Sequence, residues 1–193
     1  MSSTAPVPAD DPYAERPTLW QRHPHLGWAL IVGALTVILT YVAFPPVNVG
    51  QAAYAFAIAG ALWAYRRPAF RLYAGTMLGA SIVAWTWLLG WLHNVSWPGL
   101  FLLGPFIGLL NGLWYLGVWW AMPRLLGHRA MIRIIGILGL AALWVMNEWL
   151  RSVIFTGFPW LPLAASQWEK PLVLQSAAYG GAWLVSFVLI LFN

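Results

Sequence analysis

Apolar residues fall in six long runs, at 26–44, 48–65, 72–92, 99–122, 131–152 and 172–192, and the short gaps between them hold most of the arginines and prolines. Each run is about 18–24 residues long, enough for a helix rising 1.5 Å per residue to cross a hydrocarbon core of roughly 30 Å. The pattern predicts an all-α membrane protein with about six transmembrane helices in one bundle, residues 26–193, and leaves no room for a soluble domain. Residues 1–25 precede the first run. They are rich in Pro, Ser and Asp, have no apolar period, and predict a mobile tail. The first run is long for a signal-peptide core and lacks a small-x-small cleavage site before Pro45, so it reads as a retained helix.

Composition agrees. Hydrophobic residues make up 61% of the chain and charged residues 8%, against roughly 45–50% and about 25% in soluble domains. The net charge of +5 invites a nucleic-acid reading, but the arginines form no basic face, and no nucleic-acid partner is expected. Their placement reads instead as topology. Arg16 and Arg22 precede the first run, Arg66, Arg67 and Arg71 separate the second from the third, and Arg124, Arg129 and Arg133 separate the fourth from the fifth. Only Arg151 and Lys170 fall on the other side. By the positive-inside rule the N-terminus and tail are cytoplasmic and the 153–171 segment is extracytoplasmic. Trp20, Trp63, Trp91, Trp97, Trp149, Trp160 and Trp168 fall near run ends, as interfacial rings do, while Trp114, Trp144 and Trp183 lie deeper.

With no cysteine there is neither a disulfide nor a thiolate nucleophile. The four histidines, His23, His25, His93 and His128, are scattered over tail and loops, which argues against a metal site; no cofactor is expected. Gly75, Gly79 and Gly90 in the third run, and Gly104, Gly108 and Gly112 in the fourth, include four-residue spacings that permit close helix packing. His93 and Asn94 read equally as a solvated loop or as functional groups. The last run stops at Asn193 without the basic anchor that borders the cytoplasmic segments, so the sequence is expected to continue beyond it.

Chemistry concentrates between Trp144 and Gln167. Trp144, Glu148 and Arg151 fall at i, i+4 and i+7 and share one helix face. Counting from Arg133, Glu148 lies about 22 Å and Arg151 about 27 Å up the helix. An ionised side chain inside a bilayer is expensive, about 2.5–3.5 kcal/mol at a helix centre. Two readings stay open: the two neutralise each other and lock the helix to a neighbour, or Arg151 also meets a lipid phosphate or anionic substrate. Beyond them, Gly157 can end a helix in the left-handed conformation, and Pro159 and Pro162 cannot continue one. Phe158 and Trp160 then place a re-entrant or interfacial loop in the outer leaflet, near 153–171, with Ser166 and Gln167 as polar groups just outside. A plain connector remains the competing reading.

Glu148-Trp149-Leu150-Arg151, Thr156-Gly157-Phe158-Pro159-Trp160, Ser166-Gln167, and Gly180 with Leu184-Val185-Ser186-Phe187 resemble the membrane domain of bacterial apolipoprotein N-acyltransferases. Ala43-Phe44-Pro45-Pro46 and Arg66-Arg67-Pro68 echo the same family, and the likeness runs from about Leu39 to Asn193. Ala165 departs from it, standing where the family often has Tyr. The resemblance implies a multi-pass protein of the bacterial inner membrane. It also implies lipid- or substrate-binding roles for Glu148, Arg151, Gly157, Phe158, Pro159, Trp160, Ser166 and Gln167. The partners it implies are a phospholipid acyl donor and a diacylglyceryl-cysteine lipoprotein.

In that family the reaction runs in an extracytoplasmic nitrilase-like domain with a Cys nucleophile, a Glu base and a Lys oxyanion stabiliser, none of which has a counterpart here. The chain alone is therefore expected to be inactive, with the catalytic domain missing or separately encoded. The alternative is a stand-alone, non-catalytic module that binds lipid or docks a partner. A small transporter fits less well, because no internal repeat or midplane charge is evident.

Overall fold

The computed structural model describes residues 24–154 and 157–193. The predicted tail, apart from Pro24 and His25, lies outside the described residues, as do Arg16, Trp20, Arg22, His23 and Thr156. Every regular element described is helical: α1 (Pro24–Ala43), α2 (Ile58–Tyr65), α3 (Phe70–Leu88), α4 (Trp97–Leu125), α5 (Ala130–Val153), α6 (Pro171–Leu174) and α7 (Ala177–Leu191). Short 3-10 turns occupy Gly50–Tyr54, Gly90–Asn94 and Leu163–Gln167. The segments His25–Ala43, Trp97–Leu125 and Ala130–Val153 are long and apolar enough to cross a membrane, and Ala177–Leu191 is a shorter apolar helix. Large side chains such as Leu30, Ile38, Leu102, Ile134 and Met146 are exposed on the outside of the bundle. That inverted surface suits a hydrocarbon solvent, where apolar exposure costs nothing.

Two of the predicted runs are broken. The run at 48–65 folds as the turn Gly50–Tyr54 followed by the eight-residue α2, which is only about 12 Å long. Its carbonyl at Gly50 is taken by Gln167, whose Nε2 donates to it at 2.8 Å. A Cβ on Gly50 would meet the Ser166 carbonyl oxygen at 2.6 Å, so the two segments are packed backbone to backbone. Asn193 bridges the break between turn and helix: Ala57 N donates to its Oδ1 at 2.9 Å, and its Nδ2 donates to Ala53 O at 2.8 Å. Backbone groups freed from a helix in apolar surroundings need such partners. The run at 172–192 divides into α6 and α7, and α7 itself kinks at Gly180 and Gly181, the latter with φ of 66°.

The gaps between helices gather at two ends. At one, the Arg66 guanidinium stacks on Trp28 with 4.1 Å to the ring centroid, Arg67 Nη2 donates to Pro123 O at 3.5 Å, and Trp119 Nε1 donates to Pro68 O at 3.1 Å. The start of α1, the α2–α3 gap and the end of α4 therefore meet, as the arginine count anticipates. At the other end Trp91 lies 5.3 Å from Trp160, and Trp168 Nε1 donates to Asn48 Oδ1 at 2.9 Å. Trp91, Trp97, Trp149, Trp160 and Trp168 are exposed, whereas Trp63 is buried against Tyr73 and does not belong to an interfacial belt.

The most extensive interface joins α3 and α4. The two glycine stripes contribute to it unequally. On α4, a Cβ at Gly104 would meet Thr86 Cα at 2.8 Å, at Gly108 Ile82 Cα at 2.5 Å, and at Gly112 Leu78 Cδ2 at 3.0 Å. On the other side Gly75, Gly79 and Gly90 would meet nothing within 4 Å. Polar cross-links support the same core: Asn147 Nδ2 donates to Leu110 O at 2.9 Å and Trp114 Nε1 to Leu140 O at 2.8 Å.

Gly108→Ala must push α3 off α4, because the obstruction is backbone, and is expected to cost about 1–3 kcal/mol. Gly79→Ala should be neutral or stabilise by up to about 1 kcal/mol through helix propensity. Thermal melts of the two variants in detergent check this; equal melting temperatures would show that the interface is looser than described.

Candidate functional site

Along α5 the residues Leu140, Ala141, Trp144, Glu148 and Arg151 are buried, at the three- and four-residue spacing of one helix face, while Met146 and Leu150 line the opposite, exposed face. The charged residues are thus on the protein side. Glu148 is 1% exposed and Arg151 2% exposed.

They do not bond each other. Among the described residues no hydrogen bond or ion pair joins the two side chains; each instead holds the chain that follows the helix. Glu148 Oε1 accepts the backbone N–H of Leu163 at 2.6 Å and the indole N–H of Trp144 at 2.9 Å. Arg151 Nη2 donates to Leu161 O at 2.8 Å, and its guanidinium lies 5.1 Å from the Trp85 ring centroid on α3. The expected side-chain pair is a clamp: two opposite charges one turn apart grip two points of one loop. The physical reason is geometric. Residues 157–163 fold back along the buried face of α5, so unpaired backbone groups reach Glu148 and Arg151 first, and a charge-assisted bond to a backbone group is a strong one.

Glu148 Oε2 and Arg151 Nε and Nη1 are buried without a hydrogen-bond partner among the described residues. An isolated buried charge would not survive this, but each has the opposite charge on the next turn, and Coulomb attraction acts over a longer range in a poorly polarisable interior.

The reversal begins where α5 ends. Gly157 has φ of 85°, and a Cβ there would strike Ser152 O at 2.4 Å, so only glycine fits. Gly157 N donates to Ile154 O at 2.9 Å and Phe158 N to Arg151 O at 2.9 Å, which closes the helix terminus. Phe158 is half-buried against the core, and Pro159 and Trp160 are exposed. Leu161 has φ of 54°, an uncommon value for a non-glycine residue, and its carbonyl accepts from Arg151. The turn Leu163–Gln167 is then bolted inward: Ala164 N donates to Ser186 Oγ on α7 at 3.0 Å, Ser166 Oγ to Leu163 O at 2.7 Å, and Gln167 Nε2 to Gly50 O and to Ser166 Oγ.

Of the eight candidate residues, Glu148, Arg151, Ser166 and Gln167 form one buried polar network with Trp144, Ser186 and Gly50. Ser166 and Gln167 are not polar groups at the surface, as expected from the sequence, but are 4% and 1% exposed. The turn at 163–167 packs them against α7 and the Gly50 turn, and Ser166 Oγ and Gln167 Nε2 make their hydrogen bonds there. Gly157, Phe158, Pro159 and Trp160 form the outer rim of the same loop. Sequence reading missed the loop's own Leu161 carbonyl and Leu163 N–H, along with Gly50, Asn48 and Trp85. Ser186 was visible only as part of a motif. Backbone partners carry no residue-type signal; Pro162, which sets up the Leu163 N–H, is the nearest thing to one. His93 and Asn94 cap their own turn, bonding Gly90 O at 2.6 Å and Trp91 O at 3.2 Å.

The family model for the apolipoprotein N-acyltransferase N-terminal domain matches residues 22–193. The apolipoprotein N-acyltransferase of Allorhizobium ampelinum is 31% identical over 166 residues, covering 66% of this chain and 31% of that protein. That of Azotobacter vinelandii is 35% identical over 137 residues, 68% of this chain and 24% of the relative. That of Coxiella burnetii is 30% identical over 177 residues, 83% of this chain and 34% of the relative. The matched part thus spans about a third or less of each of these proteins.

Removing one charge of the clamp leaves the other buried and uncompensated, a loss of about 3–5 kcal/mol in a fully buried setting. Glu148→Gln and Arg151→Gln should each lower the melting temperature in detergent, and the double variant should lose less than the sum of the two. Additive losses would mean that the charges do not sense each other and that the clamp is two independent bonds.

Proposed function

Since this chain belongs to the apolipoprotein N-acyltransferase family, as its N-terminal domain, we propose that it is the membrane part of an enzyme that transfers a phospholipid acyl chain to the N-terminal amine of diacylglyceryl-cysteine lipoproteins. In that reaction a cysteine thiolate of a nitrilase-like domain attacks the ester carbonyl of the phospholipid and releases a lysophospholipid. The resulting thioester is then attacked by the lipoprotein's α-amine, which takes the acyl group and frees the thiolate. Splitting one transfer into two covalent steps is ordinary nucleophilic catalysis. This chain has no cysteine, and by itself it performs neither step. Its task is to sit in the bacterial inner membrane as a multi-pass bundle, N-terminus in the cytoplasm, and to present a shaped outer rim to lipid and to the catalytic domain.

The observation that carries this reading is the loop fastened to α5 by Glu148 Oε1 to Leu163 N at 2.6 Å, which leaves Pro159 and Trp160 exposed beside Trp91. Lipid contact then falls to Phe158, Pro159 and Trp160. Glu148, Arg151, Gly157, Ser166 and Gln167 are positioning residues that hold the rim in place. The gathering of Arg66, Arg67 and Arg124 at the opposite end supports the orientation.

Two experiments test the proposal. Fused in place of the matching segment of the Azotobacter vinelandii acyltransferase, this chain should give a chimera that N-acylates a diacylglyceryl-cysteine peptide, whereas the isolated chain transfers nothing. A membrane-inserted but inactive chimera, or acylation by the isolated chain, would count against it. For orientation, single cysteines at the exposed positions Ser96, Glu169 and Arg129 can be probed with an impermeant maleimide in spheroplasts. Labelling at 96 and 169 but not 129 is expected; the reverse pattern would invert the topology.

A further inference from the structure

A second site lies at the basic end, far from the clamp. Arg67, Trp119, Pro123 and Arg124 surround a cavity of about 260 Å³ between the α2–α3 gap and the end of α4. Both arginines are exposed. Each spends one N–H on a backbone carbonyl, Arg67 Nη2 on Pro123 O and Arg124 Nη1 on Trp120 O, which leaves their remaining donors for an anion in the cavity both line. Arg124 also borders a second cavity of about 450 Å³, an apolar groove between α4 and α5 lined by Ala121, Leu125, Ile132, Gly139 and Leu143. A third hollow of about 180 Å³, lined by Leu110, Leu113, Met146 and Leu150 on the same two helices, shares Leu143 with it. From Arg124 to Leu110 the path runs about 21 Å along α4, longer than the roughly 15 Å of hydrocarbon in one leaflet.

From this juxtaposition we infer that the α4–α5 groove and the Arg67–Arg124 cavity together bind one anionic phospholipid of the leaflet at the basic end, its phosphodiester between the two guanidinium groups and one acyl chain lying in the groove. The occupant follows from charge and shape. A guanidinium fork matches phosphate oxygens bidentately, and the exposed Trp120 under Arg124, 4.7 Å from guanidinium to ring centroid, suits the headgroup depth. Among the described residues the carboxylates are Glu148 and Glu169, both at the other end, so no described carboxylate neutralises Arg67 or Arg124. A net negative lipid is favoured over a zwitterionic one, because among the described residues no carboxylate stands at this end to pair with an ammonium headgroup, while two guanidinium groups line the cavity. Unlike Gly108, Gly139 has open space where its Cβ would be, with nothing within 4 Å; the room is there for an acyl chain. The site is independent of the acyl-transfer reading.

The full chain, purified in a mild non-ionic detergent, can be titrated with phosphatidylglycerol, phosphatidylethanolamine and glycerol phosphate, with bound lipid counted by native mass spectrometry. Phosphatidylglycerol should bind at least about tenfold more tightly than either of the others, and the Arg67→Gln/Arg124→Gln double variant should lose at least about tenfold. Gly139→Leu, which fills the groove without touching the backbone of a neighbour, should cause a comparable loss while the melting temperature without added lipid stays unchanged. Arg129→Gln, outside both cavities, should bind as the unaltered chain does. Equal binding of glycerol phosphate would reduce the site to a bare phosphate pocket and overturn the groove. Equal binding of phosphatidylethanolamine, an unaffected Gly139→Leu variant, or an equal loss in Arg129→Gln would each overturn the proposal.

Discussion

A carboxylate with almost no access to water governs the half of this molecule opposite the arginine-rich end. Glu148 Oε1 takes the Leu163 N–H at 2.6 Å and the Trp144 indole at 2.9 Å, and so joins the end of α5 to the chain that has just left it. Without a strong acceptor at that depth, the N–H of Leu163 would be buried in apolar surroundings without a partner, at a cost of several kcal/mol. The charge that makes Glu148 a good acceptor would itself be prohibitive alone. Arg151, one turn on, supplies the compensation and fixes Leu161 O in the same movement. Everything further along depends on this register: Ser186 can cap Ala164, and Gln167 can reach Gly50, only if the loop is folded back here.

The clamp also explains why the second apolar run is not a plain helix. Gln167 takes the Gly50 carbonyl, and the backbone of that turn lies against Ser166. The irregular stretch after α1 and the irregular stretch after α5 satisfy each other. Asn193 does the same for Ala53 and Ala57 on the far side of the turn. Non-helical backbone is tolerated within an apolar bundle under this condition, that protein groups replace the lost ladder bonds. The most extensive helix packing is elsewhere, in the α3–α4 pair, where glycines on one helix admit the backbone of the other.

Much of this is legible in the amino-acid sequence, and for identifiable reasons. Apolar runs mark α1, α4 and α5 because a lipid-facing surface must be continuous, and arginine placement separates the two ends because charge avoids the core. The i, i+4, i+7 spacing puts Trp144, Glu148 and Arg151 on one face, and Gly157 with Pro159 and Pro162 fixes where α5 must stop. What the spacing could not supply is the direction of the following chain. Glu148 and Arg151 look like partners as long as the loop is imagined outside the bundle; once it folds inward, its own backbone competes for both. Ser166 and Gln167 mislead for the same reason, as polar residues after a turn usually face water. The broken run at 48–65 was hidden because its partners, Gln167 and Asn193, are more than a hundred positions away, and its apolar composition is that of a continuous helix.

The claim on which the rest stands is that Glu148 holds the loop by the Leu163 N–H. Amide hydrogen exchange across 157–168, measured on the chain in detergent, addresses it directly. Leu163 and Ala164 should exchange about as slowly as the amides of α4 in the unaltered chain, and in Glu148→Ala they should be accelerated far more than α4 is. Rapid exchange at Leu163 in the unaltered chain, or protection that survives loss of the carboxylate, would contradict the account.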